Sequence, residues 1–370
     1  MSLIAVTKTF LVAAFLALTA TGTAFGQSGR VKPEPTPTPE ETVKVETEEI
    51  RINVLAYDES GTFFDGVNAE DLVITENNIL HQASSLRRIP ASVLIVMDTG
   101  GQLRSVKSLD LTRKTAAALV TALNSADQIA LIQYADKAEV ISEWTTDRNM
   151  TMSAIGRTKF GSSSAFFDAI ELASNMLVRD DIANRHLVLI TDGTDGGSNS
   201  LERINSLRQL LTTDINVHVI SYTGLEITDI EPRTKGISKS PPPQAMPDIV
   251  RDQLPNGPRQ ASQMPKIGPT INLDRKHIET MKRRRDDLQS AEEALSDLTR
   301  NTNGTMVIPK TREEMPTSTA TVARIIDGSY VLTYIPKFSF AEMPDDRTIT
   351  VTSRRPGLVV EARRKLIRKP

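Results

Sequence analysis

Two kinds of hydrophobic pattern alternate through most of the chain. Continuous apolar runs occur at 93–97 and 187–190, and a third strand-like segment, "INVHVIS", covers 215–221; between them lie amphipathic segments whose apolar residues recur every three or four positions. Runs of the first kind are typical of strands buried on both faces, and segments of the second kind are typical of helices packed on a sheet. This alternation predicts an α/β domain at 91–335, with a doubly wound, mostly parallel sheet and helices on both faces.

The segments on either side of this domain show a period of two instead. Residues 43–90 alternate apolar and polar positions around turn-forming residues, which predicts a small β-rich lead segment. Residues 336–370 predict a C-terminal β segment, a hairpin that turns at Pro356-Gly357.

One stretch inside the domain has no sustained period. Residues 224–272 are rich in proline, including three consecutive prolines at 241–243, and predict a flexible, Pro-rich insertion. A long helix is expected to follow, from about Asp274 to a C-terminal cap at Gly304. The basic run at 282–285 predicts a solvated face of that helix.

The first residues have the pattern of an export signal. Lys8 precedes an apolar core at 10–20, and small residues at Ala24 and Gly26 suit a cleavage site before Gln27. We therefore expect a cleavable signal peptide at 1–26, a Pro-rich linker at 27–42 and a periplasmic or secreted mature chain without a transmembrane span. An uncleaved membrane anchor is the alternative.

Composition excludes several classes of function. With 44 Lys and Arg against 46 Asp and Glu, the formal net charge is −2, whereas a dedicated nucleic-acid binder usually carries a strong basic excess. The chain has no cysteine, which excludes disulfides, thiolate nucleophiles and cysteine-type zinc sites. No phosphate-binding or dinucleotide motif is present.

Three polar stretches are expected to meet at one edge of the predicted sheet. Residues 98–102 and 191–197 each follow a buried strand, and residues 161–169 lead into a helix. Ligands of doubly wound sheets bind beyond the carboxyl ends of the strands. Asp98 and Asp192 would face each other there, and a hard divalent cation would relieve their repulsion.

The order and spacing of these stretches resemble the von Willebrand factor A (VWFA) domain, over residues 91 to about 335. The flanks resemble those of the exported bacterial VWFA-related family of acidobacterial type, as in "IPASVLIVMD" before the domain and "YVLTYIP" after it. The resemblance implies a non-enzymatic module for protein–protein interaction or adhesion. Its protein partner, of unknown identity, would dock on the edge bearing Asp98, Ser164 and Asp192, and an association with the cell envelope is also possible.

The family's metal-ion-dependent adhesion site uses the motif D-x-S-x-S, then a Thr, then an Asp. Carried over by resemblance, Asp98 and Asp192 match the two acids, and Ser164 takes the Thr position. The two serines of the motif are replaced by Gly100, which has no side-chain ligand, and Gln102, which offers a neutral carbonyl. We therefore expect a degenerate site of Asp98, Gln102, Ser164 and Asp192 that binds Mg²⁺ or Mn²⁺ weakly or not at all.

Two other functions stay open at this point. One is a structural component of the cell envelope that needs no metal. The other is a serine hydrolase, because "GSSSA" loosely fits a nucleophile elbow at Ser163, and Asp192 and His218 follow in hydrolase order. A nucleophile elbow needs a strand directly before the serine, and the polar segment before Ser163 does not predict one, so this alternative is the weaker.

Overall fold

The structure is a computed structural model that describes residues 49–64, 66–101, 107–179, 182–196, 207, 210–239, 270–271, 273–339, 342, 346–363 and 365–366. The expected signal peptide, the linker and the first residues of the lead lie outside these ranges, as do Gln102 and residues 240–269. In the part of the chain that is described, no helix combines the length and the hydropathy needed to cross a bilayer.

Strands come first along the chain, and helices then alternate with strands. The lead contains four strands: β1 (Ile50–Tyr57), β2 (Leu72–Glu76), β3 (Ile79–His81) and β4 (Ala83–Arg87). The α/β part follows with β5 (Ser92–Asp98), α1 (Leu109–Ala122), β6 (Gln128–Tyr134), β7 (Ala138–Thr145), α2 (Arg148–Arg157), α3 (Phe166–Leu177), β8 (Arg185–Thr191), β9 (Asn216–Ser221), α4 (Thr223–Ile230), β10 (Ile237–Ser238), β11 (Thr270–Ile271), α5 (Arg275–Asn301), β12 (Met306–Val307), α6 (Glu314–Thr317) and α7 (Thr319–Asp327). The chain continues with β13 (Ser329–Tyr334), β14 (Arg347–Ser353), β15 (Val359–Ala362) and β16 (Lys365–Leu366).

The predicted α/β sheet is confirmed. Six strands lie in the order β12-β9-β8-β5-β6-β7, and all neighbours are parallel except β7, which pairs antiparallel with β6. Every residue of the central strand β5 is buried. Its alternate side chains enter two separate cores: Val93, Ile95 and Met97 pack with α1 and α7, whereas Leu94 and Val96 pack with α3. This burial on both faces explains why β5 is continuously apolar.

The two flanking segments build one structure together. Two four-stranded sheets, β15-β1-β13-β4 and β16-β14-β2-β3, share one apolar core that includes Ile52, Ile74, Leu332 and Ile349. Each sheet combines strands from the lead with strands from the C-terminal segment, and we call the pair of sheets the β-sandwich. Neither flank alone could bury its apolar face, which is why the two form a single core.

Two expectations about the C-terminal strands are wrong. The strand β13 was expected to complete the α/β domain, but it pairs antiparallel with β1 and β4 in the β-sandwich. Its six residues are all buried, so its sequence is like that of a central parallel strand. The expected hairpin at Pro356-Gly357 does not form either, because β14 pairs with β2 and β15 pairs with β1, on opposite sheets.

Part of the expected flexible insertion is folded. Residues 223–230 form α4 and residues 231–234 a 3₁₀ turn, both against the long helix α5. Leu225 and Ile230 of α4 are buried. A single helix of two turns is too short to show a clear period, which is why the sequence pattern missed it. The Pro-rich residues 240–269 lie outside the described residues.

Candidate functional site

Two acids stand at the carboxyl ends of adjacent strands. Asp98 is the last residue of β5, and Asp192 follows the last residue of β8. The strands are parallel, with Met97 opposite Ile190, so Asp98 and the end of β8 reach the same edge. Both aspartates are completely buried.

A lysine lies between these two carboxylates. The Nζ atom of Lys107 is 2.7 Å from Oδ2 of Asp98 and 2.8 Å from Oδ2 of Asp192. The Lys107 side chain is 3% exposed. It comes from the segment just before α1, whose first turn is capped by the Ser108 hydroxyl. One ammonium group thus bridges both acids inside the protein.

A second cation reaches the site from the long helix α5. Arg284 donates to Oδ2 of Asp192 at 3.0 Å and to the Thr194 hydroxyl at 2.8 Å. The same guanidinium nitrogen that binds Asp192 also donates to Oε2 of Glu226 on α4, at 2.7 Å. Glu226 is buried as well. The site therefore joins three carboxylates and two cations from five segments of the chain.

Further donors fix the two aspartates. The Oδ1 atom of Asp192 accepts from the backbone N–H of Thr194 at 2.8 Å and from its hydroxyl at 2.6 Å. The Oδ1 atom of Asp98 accepts from the backbone N–H of Gly100 at 3.1 Å. Buried charge is tolerated only where such pairing is complete. Asp98 and Asp192 are therefore held in place by partners within the chain.

The pKa values of the two aspartates are shifted in opposite directions. Burial, added to the nearby Asp192, raises the pKa of Asp98. Burial would also raise the pKa of Asp192, but Lys107 and Arg284 outweigh it and hold that pKa well below its usual range. Likewise, burial would lower the pKa of Lys107, but the two aspartates raise it, so the ammonium stays charged. Burial, together with Asp192, raises the pKa of Glu226 to about 8.

The remaining predicted ligands are placed differently. Ser164 is buried near the edge, but its hydroxyl donates to the backbone carbonyl of Thr194 at 2.8 Å. Gln102 lies outside the described residues. Gly100 has no room for a side chain, because a Cβ there would lie 1.9 Å from the backbone oxygen of Ser163 and 2.8 Å from Cα of Ala135.

These residues do not fit the divalent cation that the family resemblance implies. The position between Asp98 and Asp192 is taken by the Lys107 ammonium, and a positive ion cannot share it. Position 100, a serine in the family motif, cannot supply a hydroxyl in this backbone. Among the described residues, no group of three or more acidic or histidine side chains is arranged to hold a metal.

The proposed hydrolase triad does not form. His218 of β9 pairs with Val188 of β8 in the sheet. Val188 comes four residues before Asp192, so His218 lies about 13 Å from Asp192 along the strand direction. Its ring lies in the interior, with Nε2 3.0 Å from Nδ1 of His186 and Nδ1 accepting from the backbone N–H of Thr305. A base placed there cannot activate the exposed Ser163.

A cleft opens directly above the buried charges. It has a volume of about 350 Å³ and lies between the loops that follow the strands and the N-terminal half of α5. Its lining residues include Ser162, Ser163, Thr194, Thr280 and Arg283. Lys107 and Arg284 form part of its wall, so the cleft is the solvent-facing side of the charged site.

Sequence reasoning missed Lys107, Arg284 and Glu226. A detectable signal existed for Arg284, because the buried positions of α5 include Met281 and Leu288. Arg284 comes three residues after Met281 and four before Leu288, so it lies on the buried stripe of the helix. No sequence pattern pointed to Lys107. Its neighbours 102–106 lie outside the described residues.

The match to a protein-family model supports the fold. Residues 93–194 match the family model of the von Willebrand factor type A domain. No curated protein matches the sequence. Solved structures that match this chain include an aerotolerance-related membrane protein from Bacteroides fragilis NCTC 9343, which is 15% identical with a TM-score of 0.37; the match covers 64% of this chain and 98% of that one.

Two further solved structures are similar. The conserved hypothetical protein BatB from Bacteroides thetaiotaomicron is 16% identical with a TM-score of 0.36, and the match covers 64% of this chain and 98% of BatB. A von Willebrand factor type A protein from Catenulispora acidiphila is 9% identical with a TM-score of 0.40, over 86% of this chain and 72% of that one.

Proposed function

Because the chain contains a von Willebrand factor type A domain, we propose that it is an exported, non-enzymatic protein-interaction module that binds its partner without a metal ion. The observation that carries the proposal is the Lys107 ammonium between Asp98 and Asp192. In an intact site of this family, an acidic side chain of the partner completes the metal's ligand shell. Here both carboxylates are buried and already paired, which supports binding without a metal.

The partner would instead contact the surface around the buried charges. The cleft offers the exposed hydroxyls of Ser162, Ser163 and Thr280, and the charged side chains of Arg283 and Asp287. Such a mixed polar rim suits a partner that binds through hydrogen bonds rather than through one metal-bound carboxylate. Binding would then be insensitive to chelators.

Cross-linking in the producing cell tests this. A photoreactive residue at Thr280 marks the cleft, and one at the exposed Ser125, which precedes β6 at the opposite end of the sheet, is the matched control. We expect a discrete cross-linked protein from position 280 that persists in EDTA, and none from position 125. Cross-links that vanish in EDTA would contradict the proposal. Equal cross-linking to many envelope proteins from both positions would favour a structural envelope component instead.

Export and the absence of catalysis are tested separately. Cell fractionation and the N-terminal residue of the mature chain test the export signal, and cleavage before Gln27 is expected. A serine-reactive phosphonate should not label the protein, because His218, the base that the hydrolase alternative requires, lies in the interior of the sheet. Stoichiometric labelling of Ser163 would restore the hydrolase alternative.

A further inference from the structure

The geometry points to a site in which two side chains of the protein, Lys107 and Arg284, supply together the double positive charge that a divalent cation would bring to Asp98 and Asp192. The chain thus carries its own cation, and this excludes metal from the site. The inference rests on the metal-free binding proposed above, but its metal titration can fail while cross-linking at the cleft still succeeds, so the two failures are distinguishable.

The first support is the charge balance. Asp98 and Asp192 bring two negative charges to one buried position, and Lys107 and Arg284 return two positive charges within 3.0 Å of their oxygens. The third carboxylate, Glu226, shares the guanidinium of Arg284. The charges of Lys107 and Arg284 thus already match those of Asp98 and Asp192 without an added ion.

The second support is position. A divalent ion that bridges Asp98 and Asp192 would lie near both Oδ2 atoms, at about 2.0–2.1 Å for Mg²⁺. Nζ of Lys107 already lies near both of these atoms, at hydrogen-bonding distance. A metal could enter only by displacing the ammonium. A divalent metal ion and the Lys107 ammonium therefore compete for one position.

The third support is the way Arg284 connects the site to the fold. Arg284 belongs to α5, and its contacts to Asp192 and Thr194 tie that helix to the loop after β8. Gly193 in this loop has a φ of +72°, and an added Cβ would lie 2.6 Å from Leu295 of α5. The close approach of helix and loop keeps Arg284 of α5 next to Asp192.

A bound metal ion and the Lys107 ammonium differ in whether they can bind a further ligand from a partner. A bound metal with an open coordination position can accept one more ligand from a partner. The ammonium of Lys107 is 3% exposed and donates two of its three N–H groups to Asp98 and Asp192, so it does not offer an outside carboxylate the open position that a metal would. A tethered cation also cannot dissociate when the ion content of the medium changes.

Mn²⁺ titration of the full chain tests the inference, with calorimetry and thermal unfolding as readouts. Lys107→Ala removes the ammonium and leaves a space, whereas Lys107→Met removes the charge but keeps most of the volume. We expect no saturable heat with the unmodified protein. We expect Lys107→Ala to bind about one Mn²⁺ at least tenfold more tightly than the unmodified protein, and to unfold at a higher temperature as Mn²⁺ is added. Lys107→Met should show neither effect.

Two results would overturn the inference. One is saturable Mn²⁺ binding by the unmodified protein that disappears in Asp98→Asn, because the metal and the ammonium would then coexist. The other is an identical Mn²⁺ response of the Ala and Met variants, because the vacated position would then not be the binding position. If neither variant folds, the titration of the unmodified protein with its Asp98→Asn control still decides the question.

Discussion

The imidazole rings of His186 and His218 stack in the interior, with centroids 5.3 Å apart and 22° between the ring planes. The amide nitrogen of Asn53, from strand β1 of the β-sandwich, lies 3.2 Å from Nε2 of His186 and donates to the amide oxygen of Asn184 at 2.9 Å. The Ser329 hydroxyl of β13 lies 3.5 Å from the same histidine nitrogen. The histidine pair therefore sits where the β-sandwich meets the α/β sheet.

This pair predicts a loss of stability in acid. Burial lowers the pKa of His218 to about 3 and, together with His218, holds that of His186 well below 6.5. Within the described ranges, the groups hydrogen-bonded to the rings are amides, a hydroxyl and a backbone N–H, none of which stabilises a protonated histidine as a carboxylate would. The unfolded chain takes up protons first as the pH falls below about 6.5, and stability is lost progressively towards pH 3. At pH 5 the loss due to His218 is about 2 kcal/mol.

Urea unfolding at pH 7.5 and pH 5 measures this effect. His218→Gln removes a titrating group, so its free energy of unfolding should fall less between the two pH values than that of the unmodified protein. The exposed His277→Gln is the matched control and should not alter the difference. An unchanged pH dependence in His218→Gln would show that other groups cause the acid sensitivity.

Restoring the family's serine at position 100 should damage the protein rather than create a metal site. Gly100→Ser places Cβ against the backbone oxygen of Ser163, a contact of 1.9 Å that only a backbone shift can relieve. We expect a loss of about 3 kcal/mol in the free energy of unfolding. Gly156→Ala, in α2 with nothing within 4 Å of the added Cβ, should instead stabilise by about 0.5 kcal/mol. A stable Gly100→Ser protein that binds Mg²⁺ would contradict the account of the site.

The four-residue basic run on α5 should contain one residue that matters for stability. Arg284→Gln removes the partner of Glu226 and one of the two cations at Asp192, and we expect it to cost about 2 kcal/mol. Arg283→Gln, one position earlier on the exposed side, should change stability by less than about 0.5 kcal/mol. Thermal unfolding of both variants at neutral pH distinguishes them, and equal effects would argue against the buried role of Arg284.

The buried ion pair between Glu76 and Arg347 should contribute strongly to the stability of the β-sandwich. Glu76 of β2 receives a hydrogen bond from Tyr334 of β13 at 2.6 Å and pairs with the fully buried Arg347 of β14. Glu76→Gln removes the carboxylate charge that pairs with the buried Arg347, so we expect a loss of about 3–5 kcal/mol. Tyr334→Phe removes one hydrogen bond and should cost about 1.5 kcal/mol. Denaturant titration gives both values, and a larger effect for Tyr334→Phe would reverse this ranking.

The parts of the fold that follow from local pattern were predictable. Residues 93–97 of β5 are apolar because both faces of the strand are covered, and that property is visible in the sequence. Asp98 and Asp192 come together because Asp98 ends one strand and Asp192 directly follows the adjacent parallel strand at the same sheet edge. For both of these features, the spacing along the chain was sufficient.

Features that depend on distant partners were not predictable. The Lys107 side chain can be buried because Asp98 and also Asp192, in a separate loop, pair with its ammonium. Strand β13 has the sequence of a central parallel strand, but its partners β1 and β4 lie far away in the sequence. The turn at Pro356-Gly357 connects two sheets instead of two strands of a hairpin, and a turn signal does not distinguish these outcomes.

The pairing of β1 with β13 also determines the order in which the two parts of the protein can fold. Ile50 pairs with Tyr334, and all of the α/β part lies between β4 and β13, which are neighbours in one sheet. As the chain emerges from synthesis or translocation, β1 cannot pair with β13 until the α/β part has already been delivered. Closing so long a loop is slow unless the intervening chain folds first and brings its own two ends together. The α/β part would therefore act as the template on which the sandwich assembles last, and a truncation after residue 328 would leave the lead strands exposed to aggregation.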